Sequence, residues 1–263
     1  MRFNGYLLLL LIVLFSCRKK NYDAVKIIGH AGSGLAVTNA PYHDNSLKSI
    51  QYALDMEGVD GVEVDIQCSA DGTAWLFHDV LLNNQSNGSG CVNSQSDGYL
   101  ETLQYTTTEQ EPLSKLKELA FPFETKELFL DLRSSNECKN ELIDVQVIVQ
   151  AIQAALTNAP PAKIIVITNQ QQWIHPFYQL GWTVFHEVEE VNTYLSGAYL
   201  SETSGVCMRN ANISQDEVKT VQELGKQVFL FNVRSPKGIR SALKKYPDYL
   251  LTDDLKATLI EKY

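Results

Sequence analysis

From residue 127 to the C-terminus the chain alternates short apolar runs with longer amphipathic stretches, and this alternation limits the possible folds more than any other feature. ELFLDLR (127–133), KIIVIT (163–168), WTVFHE (182–187), GVCM (205–208), QVFLFNV (227–233) and DYLLTDD (248–254) have the length and composition of strands. Helical segments lie between them: ELIDVQVIVQAIQAAL, QQQWIHPFYQL, SQDEVKTVQELG closed by Gly225, and PKGIRSALKKY opened by Pro236. Upstream, VKIIGH (25–30) reads as a buried strand entering a glycine-containing loop, and SLKSIQYALDME (46–57) has mostly helical apolar spacing. Strands alternating with helices predict a parallel sheet with crossover helices. About eight such units within roughly 240 residues suit a closed (β/α)8 TIM barrel of the α/β class better than an open sheet. A doubly wound sheet would want a glycine-rich phosphate loop opening its first helix. HAGSGLAVTNAPYHDNS is too long and irregular for that role.

The predicted organisation is one barrel over residues 25–263 with a polar insertion at about 81–126, its first part rich in Asn, Ser, Gln and Thr. The formal charge is −9 and no basic run stands out in the body of the chain, so nucleic acid is not an expected partner. An acidic enzyme can still hold an anionic substrate where a bound cation reverses the local field.

The N-terminus, MRFNGYLLLLLIVLFSCRKKNYD, reads as a targeting segment. Its apolar run, residues 7–15, is about half of the roughly 20 residues a spanning helix needs. Leu14-Phe15-Ser16-Cys17 resembles the lipobox of bacterial lipoproteins, which implies a signal peptide over 1–16, lipidation of Cys17 and a tether over 17–24. A plain signal peptide or an uncleaved anchor would account for the same residues. The lipoprotein reading predicts a protein held to a membrane of the bacterial cell envelope, outside the cytoplasm, with Arg18, Lys19 and Lys20 against anionic head groups. Removing 1–16 takes away Arg2 and no acid, which moves the charge from −9 to −10. Cys68, Cys91, Cys138 and Cys207 lack C-x-x-C spacing and leave one or two disulfides open, with three full pairings.

GVEVDIQCSADGTAWLFHD (61–79) carries the chemistry. As a hairpin turning on Asp71-Gly72, a favoured type I′ pair, it would set Asp65 opposite His78 and Glu63 opposite Val80. Glu63, Asp65 and His78 would then share a face. Two like charges buried side by side call for a cation between them or for protonation of one, and a hard divalent ion is the simplest solution. A solvent-facing acidic stripe would also fit these residues. His30 ends the first strand, where a barrel delivers side chains to its active face. Asp131 is an acid among large apolar neighbours, and Arg133 shares its face, either for an anion or for a local salt bridge.

These residues together resemble the glycerophosphodiester phosphodiesterase family, within the barrel phosphodiesterases related to phosphatidylinositol-specific phospholipase C. The resemblance spans about residues 26–254. It rests on His30-Ala31-Gly32, Asp44-Asn45-Ser46, Val59-Asp60-Gly61 with Glu63 and Asp65, Asp71-Gly72, His78-Asp79, Asp131-Leu132-Arg133 and Thr252-Asp253. It implies metal-dependent phosphodiester cleavage. Glu63, Asp65 and Asp131 would carry Ca2+ or Mg2+, Asp44 would be a further ligand or orienting acid, and Arg133 would contact phosphate. His30 and His78 would be the acid–base pair, in either order. The chain departs from the family pattern at Ala31, where an arginine is usual, at the aspartates 44 and 131, and in a longer loop from Ser33 to His43. His43 is expected on the loop surface. Trp75, Trp173 and Trp182 are expected in packing, and Asn232 is either a pocket neighbour or structural.

The expected activity is hydrolysis of glycerophosphodiesters or related alcohol phosphodiesters. The alternatives are a phospholipase C-like or lysophospholipase D-like action on lipid, and a non-catalytic binding lipoprotein on the same barrel.

Overall fold

Eight parallel strands close on themselves in the computed structural model, which describes residues 21–35, 40–107, 109–136 and 138–263. They are β1 (Lys26–Gly29), β2 (Gly61–Cys68), β3 (Glu127–Leu132), β4 (Ile164–Thr168), β5 (Thr183–Glu187), β6 (Gly205–Arg209), β7 (Gln227–Phe231) and β8 (Tyr249–Thr252). Each pairs with the next, and β8 pairs with β1 to complete a (β/α)8 TIM barrel. The helices are α1 (Leu47–Leu54) after β1 and α2 (Val145–Ala155) after β3. Then come α3 (Gln171–Gln179), α4 (Val191–Leu195), α5 (Gln215–Glu223), α6 (Pro236–Leu243) and α7 (Leu255–Lys262) after β4 to β8 in turn. Among the described residues, the β2–β3 connection holds no long helix: it is built from the short strands Ala74–Leu76 and Ser114–Lys115, the short helix Asp97–Leu100 and single helical turns. α2 packs against β2 as well, covering the face that a crossover helix would otherwise take.

Side chains alternate along each strand, so every strand feeds two cores. On β2, Val62, Val64, Ile66 and Cys68 face the helices, while Glu63, Asp65 and Gln67 turn to the lumen. On β3, Leu128, Leu130 and Leu132 face outward, and Phe129 joins the lumen core. Phe129, Phe185, Phe229 and Tyr249 meet there, with ring centroids 4.7 Å apart for Phe129–Phe229 and 5.1 Å for Phe129–Tyr249. This aromatic layer fills the lumen, so a site can open only beyond it, at the C-terminal ends of the strands.

The hairpin differs from expectation by one residue. Gln67 stands opposite Trp75 and Cys68 opposite Ala74, and the Phe77 N–H donates to the Asp65 carbonyl at 3.1 Å. The turn is a three-residue loop, Ala70–Gly72, closed by Ser69 N–H to Thr73 O (2.9 Å), with Gly72 at φ +80°. Asp71 is not the first half of a type I′ turn. Its carboxylate accepts from the Asp97 N–H at 2.7 Å and ties the loop to the insertion. The paired arm ends at Leu76, so His78 lies beyond the ladder instead of facing Asp65 across it.

The insertion has its own small core, in which Trp75, Phe77, Leu82, Val92, Leu100, Leu103, Tyr105 and Leu113 pack together. A Cys91–Cys138 disulfide fastens it to the loop after β3. Cys68 and Cys207 are buried free thiols. Trp173 and Trp182 pack between strands and helices. Cys17 and the apolar run 7–15 lie outside the described residues, among which no helix is long and apolar enough to cross a membrane.

Candidate active site

Glu63 and Asp65 from β2 and Asp131 from β3 each offer one oxygen, all within 4.8 Å of one another. Register explains the convergence. β2 and β3 are hydrogen-bonded neighbours with Asp65 paired to Asp131, so inward positions on both strands point to one place. Glu63 is 2% exposed and Asp65 is fully buried. The Ala31 N–H donates to Glu63 Oε2 at 2.9 Å. Asn45 clamps Asp65 from both sides: its Nδ2 donates to Oδ2 at 2.7 Å, and its Oδ1 accepts from the Asp65 N–H at 3.0 Å. Arg133 bridges the pair, donating to Asp65 Oδ1 and lying 3.1 Å from Asp131 Oδ2.

Three carboxylates thus face one guanidinium in a buried place. Burial first, then the charges of Asp65 and Asp131, push the Glu63 carboxyl well above the ordinary 4.5. Burial also raises Asp131, since Arg133 only partly offsets it and Asp65 adds to it. Asp65 feels the same burial but ends below its ordinary 3.8, held there by Arg133, His78 and Asn45. Glu63 Oε1 is buried with no hydrogen-bond partner. A buried unpaired carboxylate oxygen is costly and calls for a ligand. Hard oxygens, an excess of negative charge and an orphaned acceptor together suit a hard divalent cation.

Two histidines flank the acids. His30 Nδ1 lies 2.8 Å from Asp253 Oδ1, and its Nε2 is 4.0 Å from Glu63 Oε2. Asp253 also accepts from the Leu35 N–H (3.0 Å) and from Arg234 Nε (3.1 Å). His78 Nδ1 lies 2.8 Å from Asp79 Oδ1. The Gln67 amide donates to the carbonyls of Phe77 (2.9 Å) and Asp79 (2.8 Å), so it grips the backbone on both sides of His78. In each case a carboxylate holds Nδ1, which leaves Nε2 as the nitrogen able to exchange a proton. Both rings line a cavity of about 220 Å3 together with Glu63, Asp131, Arg133, Glu187, Arg209 and Arg234. A second groove of about 460 Å3 adjoins it through His78, Asp131, Arg133 and Glu187.

The turn that brings Ala31 to Glu63 is tight, with Ala31 at φ +47° and Gly32 at φ +92°. A Cβ on Gly32 would lie 2.7 Å from Ser49 Oγ and 2.9 Å from the Ile50 nitrogen, so glycine lets this loop rest on α1.

The geometry therefore gathers His30, Glu63, Asp65, His78, Asp131 and Arg133. Asp44 stands outside the acidic triad: its carboxylate meets Gln85 Nε2 (3.3 Å) and His43 Nδ1 (3.0 Å). His43 is buried, not on the loop surface. It stacks on Tyr105 with centroids 4.1 Å apart, because Tyr105 from the insertion closes over the loop. Sequence reasoning missed Asn45, Gln67, Glu187 and Asp253 as site residues. Gln67 carried a signal, since it shares an inward face with Glu63 and Asp65. Glu187 ends a strand at the active face, and burial followed by the Asp131 charge pushes it up to about 7.

The model of the Glycerophosphoryl diester phosphodiesterase family matches residues 30–159, the stretch that supplies both histidines, all three acids and Arg133. Residues 30–159 carry the domain of that family. The chain's barrel is accordingly that of a phosphoric diester hydrolase, and the fold agrees. A phosphodiesterase of Oleispira antarctica, solved with the product sn-glycerol-3-phosphate, superposes with a TM-score of 0.74 at 19% identity, over 90% of this chain and 96% of that one. A glycerophosphodiester phosphodiesterase of Parabacteroides distasonis gives 0.72 at 20% identity, over 91% and 97%. A Silicibacter pomeroyi protein assigned to the glycerophosphoryl diester phosphodiesterases gives 0.75 at 17%, over 90% and 92%. No curated protein matches the phosphodiesterase in sequence.

Proposed function

We propose that the protein hydrolyses glycerophosphodiesters or closely related alcohol phosphodiesters, with a divalent cation, Ca2+ or Mg2+, held by Glu63, Asp65 and Asp131. The observation that carries this reading is the unpaired, buried Glu63 Oε1 within a triad of acids 4.8 Å across, set between two carboxylate-held histidines. When bound, the cation would supply stabilisation of the charge that develops on the phosphoryl oxygens.

The chain's own residues perform the proton transfers. One histidine Nε2 accepts the proton of the attacking hydroxyl, from water or from the substrate's own neighbouring alcohol, the latter giving a cyclic phosphate. The other histidine donates to the departing alkoxide. Asp253 and Asp79 fix the two rings so that Nδ1 stays engaged while Nε2 faces the phosphodiester. Asn45 keeps Asp65 in place as charge shifts nearby. The Oleispira antarctica phosphodiesterase binds sn-glycerol-3-phosphate, which supports a glycerol-containing diester for this site as well.

The Cys17 lipid anchor and envelope location belong to the same proposal, and the entry point of the chain bears on the substrate. Tyr22 is buried against Tyr246, with centroids 5.3 Å apart, in the loop that enters β8. The chain thus joins the barrel at the N-terminal ends of the strands, opposite the cavity. Five residues from Cys17 to Tyr22 span at most about 18 Å. A barrel leashed there turns its mouth from the anchoring bilayer. This favours soluble diesters over the intact lipid expected of a phospholipase-like enzyme.

The test is turnover of sn-glycero-3-phosphocholine by the full-length protein in detergent. Activity that a chelator removes and Ca2+ or Mg2+ restores supports the proposal. Well-folded protein inert with every divalent ion supplied would leave a binding lipoprotein as the better reading.

A further inference from the structure

Three arginines line the cavity, and they are differently committed. Arg133 is shared between Asp65 and Asp131. Arg209 reaches Glu189 through Nε at 3.4 Å, and its guanidinium lies over the Phe231 ring, 5.2 Å from the centroid. Arg234, on the loop between β7 and α6, engages Asp253 through Nε alone among the described residues. That contact leaves the terminal nitrogens of its fork for a ligand.

Asp253 makes Arg234 more than a rim cation. It is 7% exposed, and its other oxygen takes His30 Nδ1. One buried carboxylate therefore orients a proton carrier and a guanidinium side by side at the cavity wall. Ala31, next to His30 in the chain and fully buried, offers no donor side chain there.

We propose that Arg234 is the guanidinium that binds a non-bridging oxygen of the scissile phosphate, positioned for this by Asp253 beside His30. The assignment rests on the phosphodiesterase reading, within which it names the anion-binding residue. A guanidinium held through Nε presents a rigid pair of N–H groups to a phosphate, and lysine cannot reproduce that geometry.

Inorganic phosphate is the probe, titrated calorimetrically into full-length protein with a divalent ion present. Steady-state kinetics on sn-glycero-3-phosphocholine run alongside, and thermal melts check folding. Arg234→Gln should weaken phosphate binding and raise KM by about 10- to 100-fold, the range of a charge-assisted hydrogen bond. Arg234→Lys should recover part of the loss, and Arg209→Gln should cost less than about threefold. Phosphate affinity within about twofold of wild type in Arg234→Gln overturns the proposal, as does a larger loss in Arg209→Gln. A fall in kcat with phosphate affinity unchanged also overturns it, because that pattern belongs to a residue that only supports Asp253. Arg234-dependent phosphate binding without diester turnover would instead sink the assigned activity and leave Arg234 as the phosphate-binding residue of the cavity.

Discussion

Strands β1–β3 and strands β4–β8 build one lumen from opposite materials. The inward positions of the first group carry Glu63, Asp65 and Asp131 above the apolar Ile28 and Phe129, with His30 just beyond β1 and Arg133 just beyond β3. Those of the second carry Ile165, Ile167, Phe185, Cys207, Phe229, Tyr249 and Leu251, with charge confined to the mouth, on Glu187, Arg209 and, beyond β7 and β8, Arg234 and Asp253. The family match begins at His30 and takes in β2 and β3. Proton carriers and a cation site demand particular residue types at particular inward positions. A packed lumen demands only apolar volume, which many sequences supply. The first group thus tolerates little chemical change, and the second tolerates much as long as the lumen stays full.

Removing chemistry from the first group should give the largest effect. His30→Ala, His78→Ala and Glu63→Gln are each expected to lower diester turnover about 10^3-fold or more, measured by steady-state kinetics. Glu63→Gln should at the same time hold or raise the melting temperature of metal-free protein, because it relieves repulsion among buried acids. Removing volume from the second group should do the reverse. Phe229→Ala empties part of the aromatic layer and should cost about 3–5 kcal/mol in a denaturant melt, with kcat largely kept in the folded fraction.

Gln67→Ala should fall between the two. It frees the backbone on both sides of His78 and should reduce kcat about tenfold with little change in KM. An equal effect on both constants would mean that Gln67 does not act through His78.

The smallest effect concerns His43. Burial works against its charged form, but the hydrogen bond and charge of Asp44, with Glu111 behind them, raise its pKa above the ordinary 6.5. A raised histidine stabilises the fold fully below 6.5 and loses that contribution as pH rises through the folded value. His43→Gln should therefore destabilise most in mildly acid buffer, by about 1 kcal/mol or less, and the deficit should shrink above neutrality.

The alternation of apolar runs made the barrel legible, and inward acids on β2 and β3 made the triad legible. Other features depend on contacts that a linear reading does not contain. The hairpin register follows from Gly72 in a left-handed conformation and from Asp71 binding the insertion, so the Asp-Gly pair alone pointed to the wrong turn. His43 sits next to a loop but is covered by Tyr105, 62 positions away in sequence. Asp253 stands far from His30 along the chain, and only closure of β8 onto β1 brings them together. α7 was not foreseen either, since LKATLIEK has a weak apolar face.

The proposed chemistry depends first on Glu63, Asp65 and Asp131 holding a divalent ion. The most direct test is an anomalous difference map from crystals of the protein grown with Mn2+. A peak bounded by oxygens of those three residues is expected, with the Arg133 guanidinium drawn off Asp65 and Asp131. An active protein whose map is featureless there, or whose ion sits elsewhere, would contradict the proposed metal site.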